Sequence, residues 1–265
     1  MNYTDEYIVE KETLTAIADN IREKTGTTDT ITVEQMPEKV NEVYEAGKQA
    51  EIINFANMIQ KNGTRTDYRY CFYRSGLNDE TFSDIFSNWN TTIQNANYMF
   101  QHTNIVDSAY TDSLDFSQCA ALLSVFSDCS NLKKLKVIDA RKTTSGYNGM
   151  ANMFMNCKQL ESIDEFYPSY GANKTGFGNT FTGCSALSHI IFKSEISQGG
   201  LDLKTSTKLD KESLTSVINC LSTTETDKSV TLSLTAVNNA FEGGRDGTEW
   251  QNLIATKPNW EIAYA

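Results

Sequence analysis

The stretch that decides the fold is Phe154-x-x-Cys157-x-x-Leu160, because the chain repeats this pattern. Two further copies begin at Phe126, 28 residues earlier, and at Phe181, 27 residues later. A pattern that returns at such a period is typical of solenoid proteins, in which stacked coils share a core that no single coil could bury. The spacing therefore predicts a solenoid, and the long, regular surface of such a stack favours a binding protein over an enzyme.

Two weaker copies precede these three. The copy at Phe100 has Thr103 where the cysteine is expected, and the copy at Phe72 has Ser75 there. Five phenylalanines then follow one another at intervals of 26 to 28 residues: Phe72, Phe100, Phe126, Phe154 and Phe181. Each coil is predicted to combine a short strand with a short helix or helical turn, with Phe and Leu inside and with neighbouring strands paired in parallel. We assign residues 63–198 to this solenoid.

The chain has six cysteines, and three of them occupy the same position of successive copies: Cys129, Cys157 and Cys184. We interpret these three as buried thiols that act as small hydrophobic groups. A disulfide framework is typical of short secreted chains, whereas this chain is long. No CxxC pair occurs and the two histidines, His102 and His189, are far apart, so the sequence predicts no metal site and no cofactor.

Residues 1–62 are predicted to form a helical attachment module with a stalk. An apolar stripe at helical spacing comprises Leu14, Ile17, Ala18 and Ile21. Gly26 follows as a typical helix stop. Thr32 and Gln35 fit a capping box ahead of a second helix, which is expected to begin near Pro37 and to continue to about Gln60. Asn62 and Gly63 then predict a turn.

Residues 199–265 have a different pattern, which predicts an αβ region that caps the last coil. One helix is expected after Asp210 and another around Trp250. Two strands are expected from alternating apolar positions, one at Val230, Leu232 and Leu234 and one from Trp260 to Tyr264. A solenoid needs a terminal cap to cover its last coil. The predicted fold class is therefore α+β, a solenoid with a helical module before it and an αβ cap after it.

Composition and charge exclude several functions. Lys and Arg total 23 against 34 acidic residues, which gives a net charge of −11 and a pI near 4.7. An acidic surface repels phosphate backbones and anionic lipids, so we expect no nucleic-acid ligand and no electrostatic docking on a membrane. No apolar run is long enough to insert into a membrane, and the first residues lack the apolar core of a signal peptide. Secretion by the general route is therefore not expected.

The residues also resemble known families. The form Asn152-Met153-Phe154-x-x-Cys157-x-x-Leu160 resembles the BspA-type leucine-rich repeats of bacterial surface adhesins and phage proteins. Residues 14–26, with residues 31–36 downstream, are similar to a module of tail and appendage proteins from phages and prophages of Gram-positive bacteria. The segments around Trp250 and Trp260 resemble the ends of the same proteins. The resemblance covers most of the chain and implies a leucine-rich-repeat solenoid, although the first two repeats lack the cysteine.

No motif for catalysis occurs: HExxH, GxSxG, the P-loop and the dinucleotide fingerprint are all absent. A glycosidase pair of carboxylates stays open as an alternative, since acidic residues are numerous, but no pattern singles one out. We therefore predict no enzyme and no catalytic residue. The candidate ligand-binding residues are three tyrosines in the expected links between coils: Tyr147, Tyr167 and Tyr170. Such tyrosines could stack on sugar rings or anchor a protein, and the competing interpretation is that they shield strand edges.

The resemblance, with the absence of catalytic motifs, thus implies a non-enzymatic phage appendage protein, a receptor-binding or tail-tip component made in the bacterial cytoplasm and located in the virion. Its N-terminal helices would bind other virion proteins, and its solenoid would recognise a host surface glycan or protein. A homotrimer is the arrangement usual among phage appendages, and the polar helix at residues 38–60 does not establish it. Two alternatives stay open: a structural virion protein without a ligand, and a bacterial cell-surface adhesin.

Overall fold

The computed structural model describes residues 11–26, 35–60, 66–87, 89, 92–107, 114–143, 149–169 and 176–265. Within these ranges the protein is α+β, with helices and two small sheets of parallel strands. The chain forms two compact units, residues 1–54 and residues 55–265.

The first unit is helical, as predicted. Helix α1 is Lys11–Thr25 and helix α2 begins at Met36. Ala18 and Ile21 are buried and pack against Val43, so part of the predicted apolar stripe does form a contact between helices. Gly26 ends α1 in the left-handed conformation, with φ of 70°, and its N–H donates to the carbonyl of Arg22 at 2.9 Å.

Helix α2 is one continuous helix, Met36–Gln60, and it passes through Gly47 without a break. Pro37 is its second residue, where the missing N–H costs nothing because the first turn has no intrahelical acceptor. The predicted extent of this helix is confirmed. Thr32 of the expected capping box and the expected turn at Asn62 and Gly63 lie outside the described residues.

The second unit is organised around the predicted phenylalanine series. Successive rings of Phe72, Phe100, Phe126, Phe154 and Phe181 stack at centroid distances of 5.7, 5.4, 6.0 and 5.6 Å. Each of the five side chains is at most 1% exposed. The leucines of the pattern, Leu132, Leu160 and Leu187, are also fully buried beside this column. The prediction that Phe and Leu form the interior is confirmed.

Backbone hydrogen bonds join neighbouring repeats along this column. The N–H of Phe126 donates to the carbonyl of Met153, and the N–H of Phe154 donates to the carbonyl of Thr180, at 3.0 and 2.9 Å. The residues in between bond within their own repeat, as the N–H of Cys129 does to the carbonyl of Phe126 at 3.1 Å. Around its core phenylalanine, each repeat is therefore a ribbon of consecutive turns. A short helix or helical turn was predicted there.

The predicted parallel strands occur in the last three repeats. Strands β1 (Lys134–Asp139), β2 (Ser162–Tyr167) and β3 (His189–Phe192) form a parallel sheet in that order. Its register pairs Leu135 with Ile163 and Ile163 with Ile190, and all three side chains are buried. In the described part of the first two repeats, pairing is limited to isolated bridges at Asp67, Asn95 and Ala121.

Helix α3, Asp79–Phe86, was not predicted. The side chain of Asn78 caps it by accepting from the N–H of Thr81 at 3.0 Å. Phe82 and Phe86 place their rings 5.7 and 5.5 Å from the ring of Phe100. The helix therefore adds two aromatic side chains to the core beside the first two repeats.

The C-terminal residues form a second parallel sheet with helices beside it. The elements are β4 (Leu201–Leu203), α4 (Lys211–Cys220), β5 (Lys228–Leu232), α5 (Leu234–Ala240), a 3₁₀ turn (Gly244–Asp246), α6 (Thr248–Ile254) and β6 (Trp260–Tyr264), with sheet order β4-β5-β6. The predicted helices after Asp210 and around Trp250 and the closing strand are confirmed. The assignment of Leu234 to a strand is wrong: Ser233 caps helix α5 there, its hydroxyl accepting from the N–H of Ala236.

Candidate binding surface

The cysteines at the same position of three successive repeats make polar as well as apolar contacts. The thiols of Cys129, Cys157 and Cys184 each donate to a phenylalanine carbonyl of the preceding repeat, at 3.0, 3.0 and 3.1 Å. Burial raises the pKa of Cys129 to about 11 and that of Cys184 to about 12. The predicted burial is confirmed, but the interpretation as purely hydrophobic groups is incomplete. These protonated, enclosed thiols are unsuited to nucleophilic chemistry.

Two rows of left-handed residues run along the repeats, one two positions before each core phenylalanine and one two positions after it. The first row is Tyr70, Tyr98, Ser124, Asn152 and Asn179, with φ between 53° and 60°. The second row is Arg74, His102, Asp128, Asn156 and Gly183, with φ between 53° and 83°. These residues interrupt any helical path, which is why the ribbon consists of separate turns.

The residue types in the two rows change along the stack. The later repeats place Asn, Asp or Gly at most of these positions, the types that tolerate positive φ best. The first two repeats instead carry Tyr70, Arg74, Tyr98 and His102 there. A bulky side chain at positive φ costs roughly 1–2 kcal/mol. The four such residues of the first two repeats therefore make this surface the candidate binding surface.

Two of these side chains, Tyr70 and Tyr98, form an aromatic surface together with Tyr73, and we call this surface the tyrosine platform. The rings of Tyr70 and Tyr98 stack at 4.7 Å with only 5° between their planes, and Tyr73 meets Tyr70 edge-on at 5.7 Å. The guanidinium of Arg74 lies over the ring of Tyr73, at 5.2 Å. Tyr70 is 54% exposed, in contrast to the buried phenylalanine column beneath it.

A polar cluster centred on Asp128 reaches the platform through His102, whose ring lies 6.2 Å from the ring of Tyr73. The carboxylate accepts from Asn156 at 2.8 Å, from Ser127 at 2.9 Å and from Gln101 at 3.2 Å, and His102 lies 3.5 Å away. Partial burial raises the pKa of Asp128, but the hydrogen bonds from Asn156, Ser127 and Gln101 outweigh it and hold this pKa below its ordinary value. The carboxylate is thus a fixed, ionised anchor that orients amide and imidazole groups beside the tyrosines.

Of the predicted candidates, Tyr167 can be placed and the other two cannot. Tyr167 is the last residue of strand β2, so its assignment to a link between coils is wrong. The guanidinium of Arg141 lies 4.6 Å from its ring centre, and its hydroxyl donates to Glu165 at 2.8 Å. This acceptor is the main reason why the pKa of Tyr167 is raised. Tyr147 and Tyr170 lie outside the described residues.

Arg141 is itself held in place, since its guanidinium pairs with Asp139 through two hydrogen bonds of 3.0 and 2.6 Å. Asp139 is the strand partner of Tyr167. The four side chains Asp139, Arg141, Glu165 and Tyr167 therefore satisfy one another, and one face of the tyrosine ring is occupied. Tyr167 is also half-buried, whereas Tyr70 is exposed, so this cluster offers less aromatic surface to a ligand than the tyrosine platform.

A shallow groove of about 470 Å³ lies at the C-terminal sheet, and its lining includes Arg245, Trp260 and Tyr264. Arg245 lies 5.8 Å from the ring centre of Tyr264, whose hydroxyl accepts from the indole of Trp250 at 2.8 Å. Among the described residues no group of three or more His, Cys, Asp or Glu side chains is placed to hold a metal ion. The groove thus combines aromatic and charged side chains.

Sequence reasoning missed the tyrosine platform, although a signal was present. Counting two positions back from each core phenylalanine gives Tyr in the first two repeats and Asn in the last two. Asn at a fixed place in a repeat suggests a left-handed turn position. Tyr70 and Tyr98 are therefore unexpected residue types at that position.

Comparison with known proteins adds no assignment: no family model matches the chain, and no curated protein or solved structure does. In the ranges that the structure describes, no helix combines the length and apolar character needed to cross a membrane.

Proposed function

We propose that the protein is a non-enzymatic appendage protein of a phage virion, which recognises the host cell surface through a leucine-rich-repeat solenoid of the BspA type. The sequence resemblance supports the virion setting. The stacked phenylalanines and the parallel strands β1, β2 and β3 support a solenoid, because neighbouring repeats share one core and one backbone ladder.

The observation that carries the proposal is the tyrosine platform, in which Tyr70 is exposed and Tyr73 and Tyr98 are half-buried. Tyr70 and Tyr98 are aromatic, fixed in direction by their stacking and held at backbone positions that suit Asn or Gly better. Exposed, oriented aromatic side chains are typical of recognition surfaces and supply contact area with little loss of conformational freedom.

In this proposal helices α1 and α2 attach the protein to other virion proteins, and the C-terminal sheet covers the last repeat. Several copies on one particle, as in a homotrimer, would convert a weak contact at each site into firm attachment by raising the effective concentration of the remaining sites. The role requires no catalysis and no cofactor.

Binding to cells tests the proposal. Fluorescently labelled full-length protein, used alone and multimerised on streptavidin, is incubated with a panel of Gram-positive strains, and bound fluorescence is measured by flow cytometry. We expect selective binding to some strains, strengthened by multimerisation, without release of reducing sugar from their walls. Absence of binding by both forms would refute host recognition and favour a structural virion protein. Release of reducing sugar would instead favour a glycan-cleaving enzyme.

A further inference from the structure

We propose that the tyrosine platform and the polar side chains beside it form a binding site for a neutral glycan, with the ring of Tyr70 as the stacking surface. The proposal rests on the proposed function, since it names the class of surface ligand that the repeats would recognise. It also places recognition on the turn ribbon of the first two repeats, away from the tyrosine at the end of strand β2.

The aromatic part of the site is already in a binding-competent arrangement. Tyr98 lies parallel to Tyr70 at 4.7 Å, and Tyr73 stands perpendicular to Tyr70 at 5.7 Å, so the ring has a set direction before any ligand arrives. The C–H face of a pyranose is apolar and comparable in size to a phenol ring, so it can cover an exposed tyrosine and exclude water. Little conformational freedom is left to lose on binding.

The polar part of the site complements hydroxyl groups. Gln101 and His102 belong to the same repeat as Tyr98 and are oriented by Asp128, whose carboxylate already accepts three hydrogen bonds. Amide and imidazole groups can both donate to and accept from sugar hydroxyls. Arg74 adds a cationic donor beside Tyr73.

Charge and extent favour a neutral sugar over the other classes. The chain has a net charge of −11, which disfavours a polyanionic glycan. The platform spans only two repeats, about 10 Å at the usual spacing of paired strands, which fits one or two sugar rings. A stable protein partner would need about 800 Å² of buried surface on each side, well beyond these few side chains.

The test uses full-length protein and an array of neutral hexasaccharides built from glucose, galactose, mannose, rhamnose or N-acetylglucosamine. The central variant is Tyr70→Asn, because Asn occupies the equivalent position in the fourth and fifth repeats. We expect wild-type protein to bind at least one of these glycans and Tyr70→Asn to bind it about tenfold more weakly. Tyr44→Ala is the matched control, since Tyr44 is an exposed tyrosine of helix α2, at 63% exposure.

A second pair separates stacking from folding. Tyr70→Phe keeps the aromatic ring and is expected to bind within about threefold of wild type, whereas Tyr70→Leu keeps an apolar side chain and is expected to lose binding. Thermal unfolding of each variant shows whether it is folded. Equal binding by Tyr70→Leu and wild type, or no binding of wild type to any of these glycans, would overturn the proposal.

The two proposals fail in different ways. If wild type binds cells and Tyr70→Asn binds them equally well, the glycan site is wrong and host recognition stands. If wild type binds a neutral hexasaccharide through Tyr70 but binds no strain, the glycan site stands and the proposed host recognition is wrong.

Discussion

The thiol of Cys157 donates a hydrogen bond to the carbonyl oxygen of Phe126, one repeat earlier, at 3.0 Å. The side chain is fully buried, and the thiols of the neighbouring repeats make the equivalent bond. Each cysteine therefore links two repeats through a polar contact inside an apolar core. The Phe126 carbonyl also accepts from the N–H of Cys129 at 3.1 Å, so the thiol supplies its second hydrogen bond, which is worth about 1 kcal/mol.

Substitutions at Cys157 should distinguish this bond from simple filling of space. We expect Cys157→Ser, which keeps a donor, to lower the free energy of unfolding by about 1 kcal/mol. Cys157→Val should lower it by more, about 2–3 kcal/mol, because it removes the donor and adds volume to a closed core. Urea denaturation measures both values. A valine variant more stable than the serine variant would show that the cysteine acts only as a hydrophobic group.

The accessibility of the thiols to a reagent tests the packing of the repeats independently. None of the six cysteines is in a disulfide, and four are buried: Cys119, Cys129, Cys157 and Cys184. Burial raises the pKa of Cys119 to about 11, so the reactive thiolate is scarce as well as enclosed. At pH 8 we expect Ellman's reagent to modify at most Cys71 and Cys220 in the native protein, and all six in urea. Rapid native labelling of more than two thiols would contradict the packing.

The hydrogen-bonded carboxylate of Asp128 should make the free energy of unfolding depend on pH in the acidic range. Its pKa lies below the ordinary value in the folded protein, because hydrogen bonds to the carboxylate outweigh the effect of burial. The folded state therefore binds the proton less readily than the unfolded state, and this stabilisation is present above about pH 4 and lost as the pH falls below that. We expect the stability difference between pH 7 and pH 3 to be smaller in Asp128→Asn than in wild type. Urea denaturation at both pH values measures it, and equal differences would exclude the anchor role.

Two glycines should respond to alanine in opposite directions. A Cβ at Gly247 would clash with the backbone oxygen of Glu242, in the turn that starts helix α6. A Cβ at Gly47, within helix α2, would meet nothing within 4 Å. We expect Gly247→Ala to destabilise the protein by about 3 kcal/mol or more, and Gly47→Ala to stabilise it by up to about 1 kcal/mol. Thermal unfolding checks both, and a tolerated Gly247→Ala would show that the turn is not tight.

The large features of the fold could be predicted because they follow from regular spacing. The intervals between Phe72, Phe126 and Phe181 determine which rings meet, and the structure stacks the whole series in sequence order. Helix α4 was predictable for a similar reason, since its apolar stripe follows a capping aspartate, Asp210. A long periodic pattern of this kind is sufficient to predict the type of element that it forms.

Two short helices and the candidate site were not predicted, because their signals are local. Helices α3 and α5 have only eight and seven residues. Helix α6 is equally short and was predicted, and the same apolar spacing at Phe82, Ile85 and Phe86 in α3 was overlooked. The tyrosine platform depends on backbone conformation: Tyr70 and Tyr98 become neighbours only once both occupy the same turn position of adjacent repeats. The apolar periodicity of the sequence does not reveal that turn position. The only sequence signal is that Asn stands there in the last two repeats, where the first two repeats have Tyr.

The most direct test of host recognition compares three labelled full-length proteins, wild type, Tyr70→Asn and Tyr44→Ala, for binding to the same panel of Gram-positive cells by flow cytometry. The account predicts that wild type and Tyr44→Ala bind the same strains to the same extent, while Tyr70→Asn, folded and no less stable, loses most of this binding. Absence of binding by multimerised wild-type protein to every strain would contradict the account.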